Sequence, residues 1–348
     1  SDSLGLTRPV PHPTAAGLHN RQKAMLAPRL GKQPSCCDES GMDLKSQVDV
    51  AEGALRGMSL TRDFARLVLF VGHGSSSVNN PHAAGLDCGA CGGHSGEANA
   101  RVMVSILNDP DVRSHLLERG IDISTTTIFV AANHDTTTDG VTIFDEDTIP
   151  GSHANDISEL RKTLCSASRR TRRERAAKLG LTKEVSLENA LQNRSQDWSQ
   201  VRPEWGLAGC AAFIAAPRFR SAPLDLDGRA FLHDYDARQD TDYAVLESVM
   251  TAPLVVASWI NLQYYGSTVD NVVFGSGDKT LHNVVGSIGV LEGHGGPLRS
   301  GLPWQSLHNG EKLIHEPMRL TALIEAPVEA MNKIIERHED LRKLLDNK

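Results

Sequence analysis

The chain has 348 residues, of which 40% are hydrophobic and 23% charged, with a net charge of −7 and a pI near 6.1. That composition belongs to a protein with a buried core, long enough for two lengths of roughly 150 residues. It carries no overall basic excess to attract nucleic acid, and its longest apolar run, Ala252 to Trp259, falls short of the ~20 residues that span a bilayer.

Residues 1 to about 50 hold Pro9, Pro11, Pro13, Pro28 and Pro34 and show no sustained apolar period, so residues 1–52 are expected to form an irregular connector. There is no initiator methionine, and the expectation is that an N-terminal part of the protein is missing ahead of it. Leu67 to Val71 reads as a buried strand ending in Gly72-His73-Gly74-Ser75, which delivers His73 to the sheet edge where α/β proteins keep ligands. Glu97 to Leu107 has helical spacing. A second helix follows, with Asp109 as N-cap, Pro110 in its first turn and Gly120 past its end. Thr125 to Ala132 is a β-branched strand running into Asn133-His134-Asp135.

Ser158 to Gly180 reads as a polar helix with Arg169, Arg170, Arg172, Arg173, Arg175 and Lys178, continuing to a helix at Leu187 to Gln192. This basic run faces anionic lipid or a membrane subunit, or it is ordinary solvated surface. Ala211 to Ala216 and Met318 to Glu325 are strand candidates. Tyr243 to Tyr265 is helical with a break at Pro253, and Val328 to Leu344 closes the chain as a helix. The expected organisation is an α/β fold with a mixed, largely parallel sheet flanked by helices. Its parts are an α/β core half at 53–157, a helical insertion at 158–200 and a C-terminal α/β region at 201–348.

His73 and Cys88 are the candidate metal ligands, because imidazole and thiolate are the donors zinc favours. Glycines flank both, and the loop between them can leave a strand edge and return to it. The competing account is a satisfied strand-end histidine and a buried free thiol. Cys88 and Cys91 form C-x-x-C, which serves redox chemistry or zinc, but a Gly-rich loop is not the helix N-terminus that redox pairs use, so Cys91 reads as a neighbour. Gly72-His73-Gly74-Ser75 lacks the elbow motif of a serine hydrolase. Six cysteines, Cys36, Cys37, Cys88, Cys91, Cys165 and Cys210, with no signal peptide, point to a reducing cytoplasm.

The stretches Gly72-His-Gly-Ser-Ser-Ser-Val-Asn-Asn-Pro-His82 and Leu86-Asp-Cys-Gly-Ala-Cys-Gly-Gly93 closely resemble the DabA family, and five later stretches extend the resemblance. They are His134 to Asp139, Arg202 to Gly209, Met250 to Tyr265, Gly275 to Lys279 and Gly301 to Ser306. The resemblance implies a β-carbonic-anhydrase-like zinc core with four ligands. His73 and Cys88 match the later two. The earlier Cys-x-Asp pair and its neighbouring arginine are expected upstream of this chain, and Cys36 with Asp38 is only a formal substitute. It further implies Zn2+ as cofactor, hydroxide attack on carbon dioxide to give bicarbonate, and a membrane-embedded, ion-conducting partner of the DabB type. The implied place is the cytoplasmic side of the inner membrane, as a peripheral protein. The alternative is a zinc-stabilised assembly subunit. On either reading the chain by itself is expected to bind zinc poorly and be inactive. His82, Asp87, His134 and Asp139 orient the ligands or satisfy loop backbone, and His294, His308 and His315 read as structural.

Overall fold

Strand β1 (Leu67–Gly74) begins with the apolar run and continues through the Gly-His-Gly that follows it. The computed structural model describes residues 41–76, 87–182, 186–197, 205–285 and 289–346. Two units divide the chain, one of Ser1–Gly53 with Thr61–Glu204, the other of Ala54–Leu60 with Trp205–Lys348. Helix α1 (Leu44–Gly57) begins inside the segment expected to be irregular, and its Val48, Ala51 and Leu55 are buried at helical spacing. Cys36, Cys37, Asp38 and His82 lie outside the described residues.

In the first unit, β1 leads through α2 (Glu97–Leu107) and α3 (Pro110–Glu118) to β2 (Ile128–Asp135), which pairs parallel to it with His73 opposite His134. Strand β3 (Gly140–Ile143) then returns antiparallel to β2, giving the order β1-β2-β3. Helix α2 packs on β1 and β2, and Ile106, Leu107, Val112, Leu116 and the Phe129–Ala132 run are buried. The ends of α3 follow from its sequence. Asp109 accepts the Asp111 and Val112 amides at 2.8 and 3.2 Å, Pro110 needs no acceptor in the first turn, and Gly120 takes φ +83°. Helices α4 (Ala154–Lys178) and α5 (Leu187–Gln196) complete the unit.

The second unit centres on β4 (Ala212–Ala216), which pairs parallel with both β5 (Ala230–Asp234) and β8 (Thr321–Ile324). Between them run α6 (Ala244–Thr251), α7 (Pro253–Val269), the single turn α8 (Asn271–Phe274) and the hairpin β6 (His282–Val285) to β7 (Gly289–Glu292). The expected single mixed sheet is therefore, among the described residues, an α/β arrangement of three small sheets, two of them containing parallel pairs.

Ala244–Val269 is long and apolar enough to cross a membrane by length and composition alone, beyond what the Ala252–Trp259 run implies. The segment is broken at Ala252 (φ −124°, ψ −75°), ahead of Pro253, which has no amide to donate. Leu246, Val249, Met250, Leu254 and Ala257 share a cluster with Phe213, Ala215 and Ile334. Asn261, fully buried, donates to the carbonyls of Cys210 and Met318 at 3.0 Å each. One face of the segment is thus buried in this unit, while Trp259 and Val269 are exposed. The closing helix is two, α9 (Val328–Arg337) and α10 (Glu339–Asp346), with His338 extended between them.

Candidate metal centre

The sheet's C-terminal edge carries His73 because β1 stays paired to its last residue: Gly72, His73 and Gly74 face Asn133, His134 and Asp135. Beyond the edge the chain is stitched down. Thr136 donates its amide to the Gly74 carbonyl at 2.9 Å, and the Ser76 hydroxyl donates to Asp135 Oδ2 at 2.7 Å. Strand β2 runs through Asp135, three residues past its expected end, because Asn133 to Asp135 are held on one side by β1 and on the other by β3.

Residues 87–96 fold back onto this edge. The Gly96 amide donates to the His73 carbonyl at 2.8 Å, and a Cβ on Gly72 would lie 2.5 Å from the carbonyl carbon and oxygen of Gly96. Two backbones can meet this closely only where neither carries a side chain. Asp87 Oδ1 accepts the Ser75 amide at 2.8 Å, tying the start of the returning segment to the end of β1. Cys88 is in this loop and not on a strand end. It pairs through its backbone with His94, and its carbonyl accepts the Cys91 and Gly93 amides. Cys91 closes the 3-10 turn that follows, its Sγ 3.1 Å from Asn99 Nδ2.

His73 is exposed, and its ring nitrogens make no hydrogen bond among the described residues. Partial desolvation pushes its pKa below the ordinary value. Nearby Asp87 opposes that shift and His134 adds to it. A neutral imidazole with an open nitrogen is the form that ligates metal. His134, its cross-strand neighbour, is held differently: Nε2 lies 3.3 Å from Oδ1 of Asp139, whose Oδ2 accepts from Arg175 at 2.6 Å. Asp139 is buried, with φ +57°, and turns the chain from β2 into β3. Arg175 also donates to the Thr136 carbonyl at 2.8 Å, and Arg172 to the Thr138 carbonyl at 2.8 Å. Two cations of the basic helix thus brace the turn beneath His134, while Arg169, Arg170, Arg173 and Lys178 are exposed. Ser95 and Gly96 take part in this edge without having stood out in the sequence, and Arg172 and Arg175 stood out there only as members of the basic run.

As a zinc site the arrangement fits in part. His73 and Cys88 are chemically suitable and lie in segments the Gly72–Gly96 contact draws together. Among the described residues, however, no three His, Cys, Asp or Glu side chains form a group able to hold a metal. The three histidines read as structural in the sequence differ in their surroundings. His315 is buried and accepts the Gly209 amide, and His308 stacks on Trp304 at 4.9 Å. His294 is exposed. Lys279 of the Gly275–Lys279 stretch is buried, and desolvation lowers its pKa to about 8.

A family model described as probable inorganic carbon transporter subunit DabA matches residues 1–348. Proteins named probable inorganic carbon transporter subunit DabA are 62% identical over 346 residues in Chloroflexus aggregans and 63% over 346 in Roseiflexus castenholzii, each covering 99% of this chain. One named probable inorganic carbon transporter subunit DabA 2, from a Bradyrhizobium species, is 57% identical over 347 residues, covering 100% of the chain. The chain spans 41% of the length of each of these relatives. No solved structure matches it. A match along the full chain, at identities this high, places the chain in the DabA family of probable inorganic carbon transporter subunits.

Proposed function

We propose that this chain supplies the His73 and Cys88 half of a zinc site in a subunit that takes up inorganic carbon by hydrating carbon dioxide to bicarbonate. The observation that carries the reading is the contact of Gly72 with Gly96, which folds the Cys88 loop onto the strand end bearing an open, neutral-leaning imidazole. His73 and Val71, on the same face of β1, are both exposed. That leaves room for the two further ligands, Cys-x-Asp with its arginine, to approach from elsewhere in the longer polypeptide.

When bound, zinc supplies a lowered pKa for water, near 7, which makes hydroxide available to carbon dioxide at neutral pH. The chain's own residues do the positioning. Asp87 holds the loop start through Ser75, and the His134–Asp139–Arg175 chain fixes the neighbouring strand end. A membrane-embedded, ion-conducting partner and a peripheral position on the cytoplasmic side of the inner membrane complete the proposal.

Metal analysis of the full-length protein tests the site: His73→Ala and Cys88→Ala should each abolish stoichiometric zinc, and unchanged zinc content would refute the ligand assignment. The second reading is a zinc-stabilised assembly subunit, in which His73 and Cys88 hold a structural metal and no carbon dioxide is turned over. Expression with the membrane partner in a carbonic-anhydrase-deficient strain separates the two. Rescue of growth that Cys88→Ala removes supports hydration, and no rescue by the intact pair supports assembly.

A further inference from the structure

Helix α4 carries more positive charge than bracing the β2–β3 turn requires. Arg169, Arg172 and Arg173 stand at spacings that share one helical face, and with Ser186, Leu187 and Glu188 they line a cavity of about 390 Å3 between α4 and the start of α5. Arg172 is fixed there. Its side chain is only 12% exposed, its Nε donates to the Thr138 carbonyl at 2.8 Å, and Nη1 lies 3.5 Å from Glu188 Oε2. Glu188 is, among the described residues, the one carboxylate on the cavity wall. Among the described residues, neither Arg169 nor Arg173 has a carboxylate within ion-pair distance, and the contact Arg169 makes is to Cys165 Sγ at 4.0 Å, too long to neutralise a charge.

The opposite wall adds to the same sign. Helix α5 has 10 residues and is capped by Ser186, whose Oγ accepts the Asn189 amide at 3.4 Å. First-turn amides such as those of Leu187 and Glu188 have no acceptor within a helix, and the helix dipole makes that end positive. Among the described residues, three guanidiniums and two first-turn amides face one carboxylate, a concave surface whose sign favours an anion. Guanidinium forks and helix N-termini both match the oxygens of phosphate.

We infer that this cavity is a binding site for a small phosphate-type oxyanion, held by Arg169, Arg172 and Arg173 and by the first turn of α5. Through Arg172 the site connects to Thr138, in the turn beneath His134, but it does not depend on zinc. A free phosphate and a phosphate-monoester headgroup of a lipid present the same chemistry.

The test is phenylglyoxal labelling of the full-length protein, read residue by residue by peptide mass spectrometry. Arg170, exposed and off the cavity wall, is the internal control. For a Kd of about 1 mM, inorganic phosphate at about 10 mM should slow labelling of Arg169 and Arg173 roughly tenfold and leave Arg170 unchanged. Protection by vesicles containing phosphatidic acid, but not by free phosphate, with Arg170 again unchanged, assigns the same site to a headgroup. Equal slowing at Arg170, equal slowing by chloride at matched ionic strength, or no slowing by either phosphate source overturns the inference. The Arg169→Gln/Arg173→Gln pair should abolish the calorimetric heat of phosphate binding with an unchanged circular dichroism spectrum. Retained heat in that variant also overturns it.

Discussion

Gly72→Ala is the sharpest test of how the candidate centre is assembled. The new Cβ would lie 2.5 Å from the Gly96 carbonyl carbon and oxygen and 2.9 Å from its Cα. All three are backbone atoms, so relief requires about 1 Å of movement by the Gly96 segment or by β1. The Gly96 amide bond to His73 and the Gly96 carbonyl bond to Ala100, at 2.8 and 3.0 Å, lie in the path of that movement. Overpacking costs about 1–3 kcal/mol and a strained or lost hydrogen bond about 1 kcal/mol more, for a total near 3 kcal/mol. Hydrogen exchange read on peptides covering β1 and α2 is the suitable assay, because it reports this unit without assuming that the whole chain unfolds in one step. Protection there should fall roughly 100-fold, since each 1.4 kcal/mol is about a factor of ten. Gly53→Ala, in helix α1 with nothing within 4 Å of the new methyl, should instead stabilise its helix by about 0.5–1 kcal/mol. Exchange in Gly72→Ala within about threefold of the parent, an effect below 1 kcal/mol, would show that the strand end and the returning loop are not in backbone contact.

Asp139→Ala removes the buried partner of Arg175 and His134 from a position at φ +57°. Since Arg175 keeps its bond to Thr136 and is 23% exposed, the loss should sit near the lower end for a broken buried pair, about 3 kcal/mol. Asp139→Asn should lose less, because Asn tolerates the left-handed backbone. Exchange of the β2 and β3 amides measures both, and equal losses would place the whole effect on the lost charge and refute the share given to the left-handed backbone. His315 is fully buried and its pKa is pushed below the ordinary value, first by desolvation and then by Arg229. The unfolded chain therefore takes up this proton first as pH falls. The stability it contributes is complete above about pH 6.5 and is lost on descending through that value toward the folded pKa. His315→Asn keeps an acceptor for the Gly209 amide and should flatten the acid side of the urea midpoint, read by tryptophan fluorescence, by at most about 1.4 kcal/mol per pH unit. An unchanged slope refutes it.

Local chemistry carried much of the first unit. Asp109, Pro110 and Gly120 specify both ends of α3 without help from tertiary contacts, and the Leu67–Val71 run with its terminal glycines specifies β1 and the position of His73. What the sequence hid is what pairing decides. Strand β3 is four residues, Gly140–Ile143, too short for a period of two to register, and it exists because Asp139 turns the chain back against β2. Likewise β5 and the β6–β7 hairpin give little alternation of their own and are fixed by register to partners. Helix α1 was obscured because its buried face rests on Val48, Ala51 and Leu55, residues too sparse and too small to stand out beside the proline-dotted stretch before them.

The donors at the candidate centre were legible for the same reason that their completion was not. Histidine and cysteine among glycines are a chemical signal at the level of residue type, readable from one strand-loop segment. The brace beneath them is not, since Arg175 lies 36 residues beyond Asp139 and looks in sequence like one more cation on a polar helix. The structure divides that helix by function. Arg172 and Arg175 reach inward to the turn carbonyls, whereas Arg169 and Arg173 have no such partner among the described residues and face a cavity rimmed by amides of their own sign. A run of like charge that reads as uniform along the chain is thus resolved, one turn of helix at a time, into cations that hold the β2–β3 turn and cations left to hold something else.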